Sequence, residues 1–450
     1  MSKQIKHKKL WSALALILLS GSAMAQQKIT VQEAVDRALQ NNLQIKQTEF
    51  QMSIAEQDVL QARMNFYPTL NAGGNWGQSW GLSFDQTAGR LVTQSVNSAG
   101  LRVSSSFDLF QGFQKINTVK ANKYSLLASE SNVERAKNDL TLSVLTTYLE
   151  ALTNYDMMLA SQDQLKLSQE QLRVMEINVE AGNRTLADLY QAQNQVATDE
   201  FNVTTSENAY ELAILNLKQL MEMDPNVEIV LDRPNIESIK LSSNPAIASD
   251  IFNTAVSRFP EIKAAEFQTK VAETNIDIAR AGYYPSLSFS AGIGTNYSSQ
   301  ARDFNSQQIL PFGDQIERNR NESIGVNLSI PIFNNYRTRI SVRKAKINYL
   351  NAQTNEQLAK NNLNKVINQA VLDLRSAEKR LYSAEVATQA ANQAYEVMKL
   401  RYNEGMTNSV ELNTTLIAKN RAEFEYIQAK YNLVFRNKLI DFYLGNPIQL

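Results

Sequence analysis

Side chains able to do chemistry are few in this chain. Its 450 residues include no cysteine, and the only histidine is His7. Lys3, Lys6, Lys8 and Lys9 precede an apolar run from Leu10 to Leu19, and Ala23-Met24-Ala25 follows as a small-x-small cleavage site. That is the pattern of a secretory signal peptide cut before Gln26, with an apolar run of about ten residues, too short to span a bilayer. The mature chain is then without His or Cys. It has no Ser/His/Asp triad, no Cys/His nucleophile, no ordinary zinc site, no disulfide and no cysteine for N-terminal lipid modification. Catalysis would fall to carboxylates, Lys, Ser or Tyr, and none sits in a recognisable motif. The sequence points away from an enzyme and calls for no cofactor and no metal. Loss of four lysines and no acid takes the formal charge from zero to about −4, which argues against nucleic acid as a partner.

The elements that position the remaining polar groups are long helices. Residues 332–404 contain neither Gly nor Pro, and a continuous helix of that length would reach about 100 Å. Its apolar positions alternate by four and three, at Ala370, Leu374, Ala377, Leu381 and Ala384, then Ala391 and Met398. This is a coiled-coil seam rich in alanine, with Ala387, Ala390 and Ala394 beside it, so neighbouring helices could approach closely. Tyr402-Asn403-Glu404-Gly405 ends the helix at a glycine stop. Residues 113–181 likewise lack Gly and Pro and end at Gly182.

These parallels belong to an expected internal duplication. Ile45-Lys46, Glu49-Phe50, Arg63 and Tyr67-Pro68 recur 217 residues later as Ile262-Lys263, Glu266-Phe267, Arg280 and Tyr284-Pro285. Leu109-Phe110, Gly182 and Asp188-Leu189 recur 223 residues later as Ile332-Phe333, Gly405 and Glu411-Leu412. The expected organisation is a signal peptide at 1–25 and a first repeat at 26–222, with hairpin 68–110, long helix 113–181 and return helix 185–222. An irregular segment at 223–246, with a weak strand near Val227 to Leu231, separates it from a second repeat at 247–444. That repeat has hairpin 285–333, long helix 334–404 and return helix 408–444, and 445–450 forms a tail. Within the first repeat, Val31 to Arg63 reads as one helix opened by a Thr30–Glu33 capping box.

Four segments of about ten residues alternate with period two. In the first, Leu70, Ala72, Trp76 and Trp80 oppose Thr69, Asn71, Asn75 and Ser79; in the second, Leu101, Val103, Phe107 and Leu109 oppose Arg102, Ser104, Ser106 and Asp108. In the third, Leu287, Phe289, Ala291, Ile293 and Tyr297 oppose Ser286, Ser288, Ser290 and Asn296; in the fourth, Ile324, Val326, Leu328, Ile330 and Ile332 oppose Ser323, Asn327 and Ser329. An apolar face against a small-polar face matches transmembrane barrel strands, with Leu287, Phe289, Ile293, Val326 and Leu328 toward lipid. A soluble sandwich with one wet face also alternates, but paired hairpins beside 100 Å helices fit no ordinary sandwich. The linkers 81–95 and 298–321 have loop composition. Trp76, Trp80, Phe84 and Tyr297 fit either a membrane-interface belt or interior strand packing. Four strands cannot close a barrel, and an open edge in lipid leaves backbone groups unpaired, so the strands must be shared among copies. Two copies would give eight strands and three would give twelve. A signal peptide with such a barrel places the chain in a bacterial outer membrane, with the helices in the periplasm.

The order and spacing of these features resemble the TolC-like outer-membrane efflux protein family, over the whole mature chain. The likeness rests on the duplicated helix–hairpin–helix plan, the strand entries Tyr67-Pro68 and Tyr284-Pro285, Ile330-Pro331-Ile332-Phe333 leading into the second long helix, and the glycine tips. The fold it implies is α+β: a trimeric transmembrane β-barrel, four strands per protomer, continued by a long periplasmic α-helical coiled-coil barrel. The function it implies is the exit duct of a tripartite efflux or secretion system, a passive conduit opened on docking. The implied partners are two further copies, a periplasmic adaptor protein, an inner-membrane pump and outer-membrane lipid. Without a cysteine at the cleavage site the chain looks like the non-lipidated branch.

The resemblance also implies roles at the tips. Gly182 and Gly405 mark the ends that meet the adaptor. Tyr402 and Asp188 match a tyrosine–aspartate bond that holds the tunnel shut. Thr407 stands where the family has a gate arginine, and Arg184 occupies the equivalent place in the first copy. Glu411 and Thr414 match a pair of pore-lining aspartates, so one acid is retained. The plainer role is capping, because Thr185–Asp188 and Asn408–Glu411 both have capping-box spacing. A helix stop does not require Tyr402. A periplasmic coiled-coil scaffold or adaptor without a barrel is the alternative function; it explains the helices but not the strands.

Overall fold

A computed structural model describes residues 27–85, 89–93, 95–233, 247–303, 305–306 and 308–446. The expected signal peptide and its cleavage point, most of the expected inter-repeat segment and most of the expected C-terminal tail lie outside these described residues. In chain order the elements are β1 (Gln27–Ile29), α1 (Val31–Asn41), α2 (Leu43–Met64), β2 (Thr69–Ser79), β3 (Leu82–Asp85), β4 (Arg90–Thr93), β5 (Val96–Gln111), α3 (Gln114–Glu180), α4 (Leu186–Leu220) and β6 (Ile229–Leu231). They continue with α5 (Ala248–Arg258), α6 (Pro260–Arg280), a short 3-10 turn (Ala281–Tyr283), β7 (Ser286–Ser298), α7 (Phe312–Arg318), β8 (Asn321–Ser329), α8 (Arg337–Asn403) and α9 (Ser409–Leu444). No helix among the described residues is long and apolar enough to cross a membrane.

Two compact units each draw on both halves of the sequence. One takes Met1–Gln47, Glu134–Phe259 and Asn361–Leu450; the other takes Thr48–Val133 and Pro260–Lys360. Among its described residues the first unit is helical apart from β1 and β6, which pair in parallel from Gln27↔Ile229 to Ile29↔Leu231. Only the second of these strands is visible as a pattern in the sequence. Its partner is only three residues long, Gln27–Ile29. Ile29, Ala34, Val35 and Ala38 pack with Val144, Leu145, Tyr148, Leu152, Leu217, Met221 and Val434 into one buried core. The Tyr148 hydroxyl sits 2.9 Å from the Ile29 carbonyl and 2.8 Å from that of Asp232, tying the strand pair to α3. Burial pushes the Tyr148 phenol well above its ordinary value, so it serves as a neutral donor.

The expected single helix over 31–63 is two helices broken at Asn42. The side-chain oxygen of Asn42 accepts from the N–H groups of Gln44 at 2.9 Å and Ile45 at 3.3 Å, which starts α2 afresh. The capping box at Thr30 and Glu33 is present in both directions. On α8 the alanine seam is buried at Ala370, Leu374 and Ala377 and half-buried at Leu381, Ala384, Ala391 and Met398. Ala387, Ala390 and Ala394 are exposed.

The second unit holds a four-stranded antiparallel sheet in the order β2-β5-β7-β8. Registers Leu287↔Leu328, Phe289↔Val326, Phe107↔Phe289 and Val103↔Ile293 gather the large apolar side chains on one face. Ser288↔Asn327 and Ser106↔Ser290 put small polar groups on the other. A bulge between Asp108 and Phe110 corrects one assignment: Phe110 pairs with Leu287, so Leu109 loses its expected place in the apolar set. Apolar residues on this face are open in the single chain, with Ile324 79% and Leu70 76% exposed. Both linkers carry structure that their composition conceals. β3 and β4 form a hairpin in the first, and α7 lies in the second. There the fully buried Gln315 amide imitates a strand partner, accepting from the Ser298 N–H at 2.9 Å and donating to the Ser298 carbonyl at 3.0 Å. Tyr297 packs on Phe312 at 5.1 Å between ring centroids, whereas Trp76, Trp80 and Phe84 are exposed.

Candidate functional site

The site is built where α3 turns into α4 and α8 turns into α9. Both turns use a glycine in the left-handed region, Gly182 at φ 75° and Gly405 at φ 74°. In each, the residue after the glycine bonds back five residues, Asn183 N–H to the Asn178 carbonyl and Met406 N–H to the Arg401 carbonyl, both at 2.8 Å. That closes the last turn and leaves φ > 0 at a position where only glycine is unstrained. Both glycines have open space around them, so the backbone conformation and not crowding selects the residue.

The returning helices start differently. At α4, Thr185 and Asp188 form the full capping box, the hydroxyl accepting from the Asp188 N–H and the carboxylate from the Thr185 N–H. At α9 only half of the expected box exists. The Asn408 side-chain oxygen accepts from the Glu411 N–H at 2.9 Å, but the Glu411 carboxylate turns to the Thr407 hydroxyl. Thr414 donates to the Val410 carbonyl of its own helix at 2.8 Å.

The two turns are joined by polar contacts, and these differ from the tyrosine–aspartate bond that the resemblance implied. Asp188 accepts from the Ser409 hydroxyl at 2.6 Å and from the Thr185 hydroxyl at 2.7 Å. Ser409 also lies 2.9 Å from the Gln191 side-chain oxygen. The Tyr402 hydroxyl points instead at the Met175 sulfur, 3.9 Å away. Arg184 holds Tyr402 by two other handles: its Nη2 donates to the Tyr402 carbonyl at 2.9 Å, and its guanidinium lies 4.3 Å from the ring centroid. The Ser409 bond, with those from Thr185 and the nearby Arg184 charge, holds the Asp188 carboxyl below its ordinary range. Burial raises the Tyr402 phenol, with Asp188 adding to the rise and Arg184 opposing it. Around these groups lies a cavity of about 410 Å³, lined by Met175, Arg184, Asp188, Gln191, Tyr402 and Ser409 among others. Deeper in, the buried Tyr395 hydroxyl accepts from Gln171 Nε2 at 2.7 Å and Lys419 lies 5.3 Å from its ring.

Sequence reasoning brought Arg184, Asp188 and Tyr402 to one place but missed Ser409, Gln191 and Met175. A signal for Ser409 existed. At the 223-residue offset it matches Leu186, so a hydroxyl stands where the other returning helix begins with an apolar group. These arrangements cap helices and link two turns. Among the described residues no cluster of acids is placed to hold a metal ion.

The outer membrane efflux protein family matches residues 34–221 and 251–446. The cation efflux system protein CusC of Escherichia coli K12 is 26% identical over 390 residues, covering 83% of this chain and 79% of that one. The outer membrane protein TolC of the same strain is 21% identical over 443 residues, covering 97% and 86%. The fold is similar to that of the Campylobacter jejuni CmeC outer membrane channel, with a TM-score of 0.76 at 19% identity, covering 93% of this chain and 86% of that one. The chain belongs to the outer membrane efflux protein family: it is an outer-membrane channel of a tripartite efflux system, with its helical part in the periplasm.

Proposed function

We propose that the chain works as a homotrimer, its hairpins shared in one twelve-stranded barrel, and that Gly182 and Gly405 mark the ends that meet a periplasmic adaptor and an inner-membrane pump. One observation carries this reading. The β2 and β8 edges of the sheet have no partner among the described residues, and the face bearing Leu287, Phe289, Ile293, Val326 and Leu328 is apolar. An unpaired edge costs several kcal/mol per backbone group in hydrocarbon, so β2 of one copy pairs with β8 of the next. Three copies of four strands close a barrel within the known size range. A scaffold or adaptor without a barrel is not favoured, since it leaves the apolar face without a purpose. The internal duplication fits the same proposal, each repeat supplying one hairpin, one long helix and one return helix.

Asp188, Arg184 and Tyr402 belong, in this reading, to the resting closure of the conduit, and Glu411 and Thr414 to its mouth. The experiment is disulfide trapping between cysteines placed on β2 and β8, with native mass measurement in detergent. Ladders ending at a trimer support the proposal. A stable, water-soluble monomer would sink it.

A further inference from the structure

The junctions between strands and long helices carry a feature that helix stability does not explain. After β8 the chain passes through Asn335 and Tyr336, both left-handed at φ 53° and 57°, into α8. The matching junction after β5 has Gly112 at φ 58° and Phe113 at φ 69°. A large aromatic residue in that region is strained, yet Phe113 and Tyr336 are both more than half exposed. Next to Tyr336 lie Phe333, 71% exposed, and Ile332, 95% exposed. Arg337, Arg339, Arg343, Lys344 and Lys346 then follow within ten residues, all exposed. No acid occurs between Glu322 and Glu356. Among the described residues none of the five makes an ion pair, while the nearby acids are engaged, Asp108 with Lys115 and Asp277 with Arg280. Cations at a helix N-terminus oppose the helix dipole. Their accumulation here, with no acid paired to them, leaves an uncompensated positive surface.

We propose that the start of α8, from Phe333 to Lys346, is a landing surface for the phosphate headgroups of anionic phospholipid. Arg339, Arg343 and Lys346 follow one another at helical spacing along one side, and the Arg339 guanidinium lies 5.7 Å from the Tyr336 ring centroid. Four to eight basic residues directly beside a membrane-spanning element are the pattern that anionic leaflets attract. Arginine adds planar, two-pronged phosphate recognition. The exposed aromatic rings supply the amphipathic layer that sits at headgroup level. The inference rests on the barrel reading, because it places the end of β8 at the membrane boundary.

The test uses the full mature protein in zwitterionic detergent, offered equal amounts of phosphatidylglycerol and phosphatidylcholine, with retained lipid counted by native mass spectrometry. Wild type should retain phosphatidylglycerol preferentially, and salt should weaken the preference. An Arg339→Gln, Arg343→Gln, Lys346→Gln variant should lose it by roughly tenfold or more. Arg339→Lys with Arg343→Lys should keep most of it, and Lys379→Gln with Arg380→Gln, farther along α8, should keep all of it. Equal retention of both lipids by wild type, or an intact preference in the triple Gln variant, would overturn the proposal. So would a change in ion selectivity of the triple variant with lipid preference unaltered, which would put the cations on the conduit. Failure of wild type to insert into bilayers at all would overturn the barrel reading itself, an outcome distinct from insertion without headgroup preference.

Discussion

Ser409 donates its hydroxyl to the Asp188 carboxylate at 2.6 Å, across 221 residues of sequence. The contact joins the first residue of α9 to the first turn of α4, and so joins the two periplasmic turns of one chain. The phenol of Tyr402, expected in this role, faces Met175.

We predict that Ser409→Ala raises single-channel conductance in planar bilayers while the trimer stays intact. A hydrogen bond to a charged acceptor is worth about 1.5–3 kcal/mol, enough to shift a closed–open balance by tenfold or more. Unchanged conductance would mean that the contact only trims the helix start.

The same bond sets a pH dependence. Ser409 and Thr185 hold the Asp188 carboxyl below its ordinary value. A depressed folded pKa means that the contribution is complete above the unfolded value and is lost as pH falls through the folded one. Closure should therefore be steady at neutral pH and weaken in acid, below the usual carboxylate range. We expect Asp188→Asn to remove that acid-induced opening; a pH profile identical to wild type would refute the assignment.

Arg184 grips the ring and the carbonyl of Tyr402, not its hydroxyl. Tyr402→Phe should accordingly conduct like wild type, whereas Tyr402→Ala and Arg184→Gln should both open the channel more often. If Tyr402→Phe alone opens it fully, the hydroxyl has a partner in the assembled trimer that outweighs the Arg184 contact.

Glu411, which the proposed function assigns to the mouth, offers a separate test. We predict that Glu411→Gln lowers cation selectivity, since a ring of three carboxylates favours cations in a narrow pore. Selectivity that does not move would place this carboxylate off the pore axis, as a partner of Thr407 only.

For the sheet, cysteines at Leu287, Phe289, Ile293, Val326 and Leu328 should resist a membrane-impermeant thiol reagent, and those at Ser288, Ser290 and Asn327 should react. One residue of register slip would reverse both sets. Leu328→Arg should cost about 2–4 kcal/mol if it lies near the bilayer midplane, read as loss of heat-stable trimer.

How far the sequence could be read depended on the range of the forces involved. The 67-residue helices α3 and α8 are legible because nothing in them breaks a helix. The strands are legible because their faces differ in polarity with period two. The bulge at Asp108 and Phe110 is not, since either Leu109 or Phe110 satisfies the local pattern and only pairing with Leu287 decides. The break at Asn42 turns on one side chain that prefers capping to helix interior. At the tips, Asp188 and Glu411 have the same spacing from their caps. Whether the acid bonds back depends on Thr407, which draws the Glu411 carboxylate away. The Ser409 contact lies beyond any local pattern, because it joins residues that only folding brings together.

The interleaving of the two units has a consequence for how the protein is made. Strand β5 finds its second neighbour in β7, with Ser98 opposite Ser298. Until residues 286–298 have followed it out of the inner membrane, β5 presents a free edge flanked by Leu101, Val103 and Phe107. Pairings so distant in sequence form slowly, and an open apolar edge is a template for the wrong strand. A nascent chain arrested in its first half has neither unit complete, and its β5 lacks the neighbour that β7 later supplies.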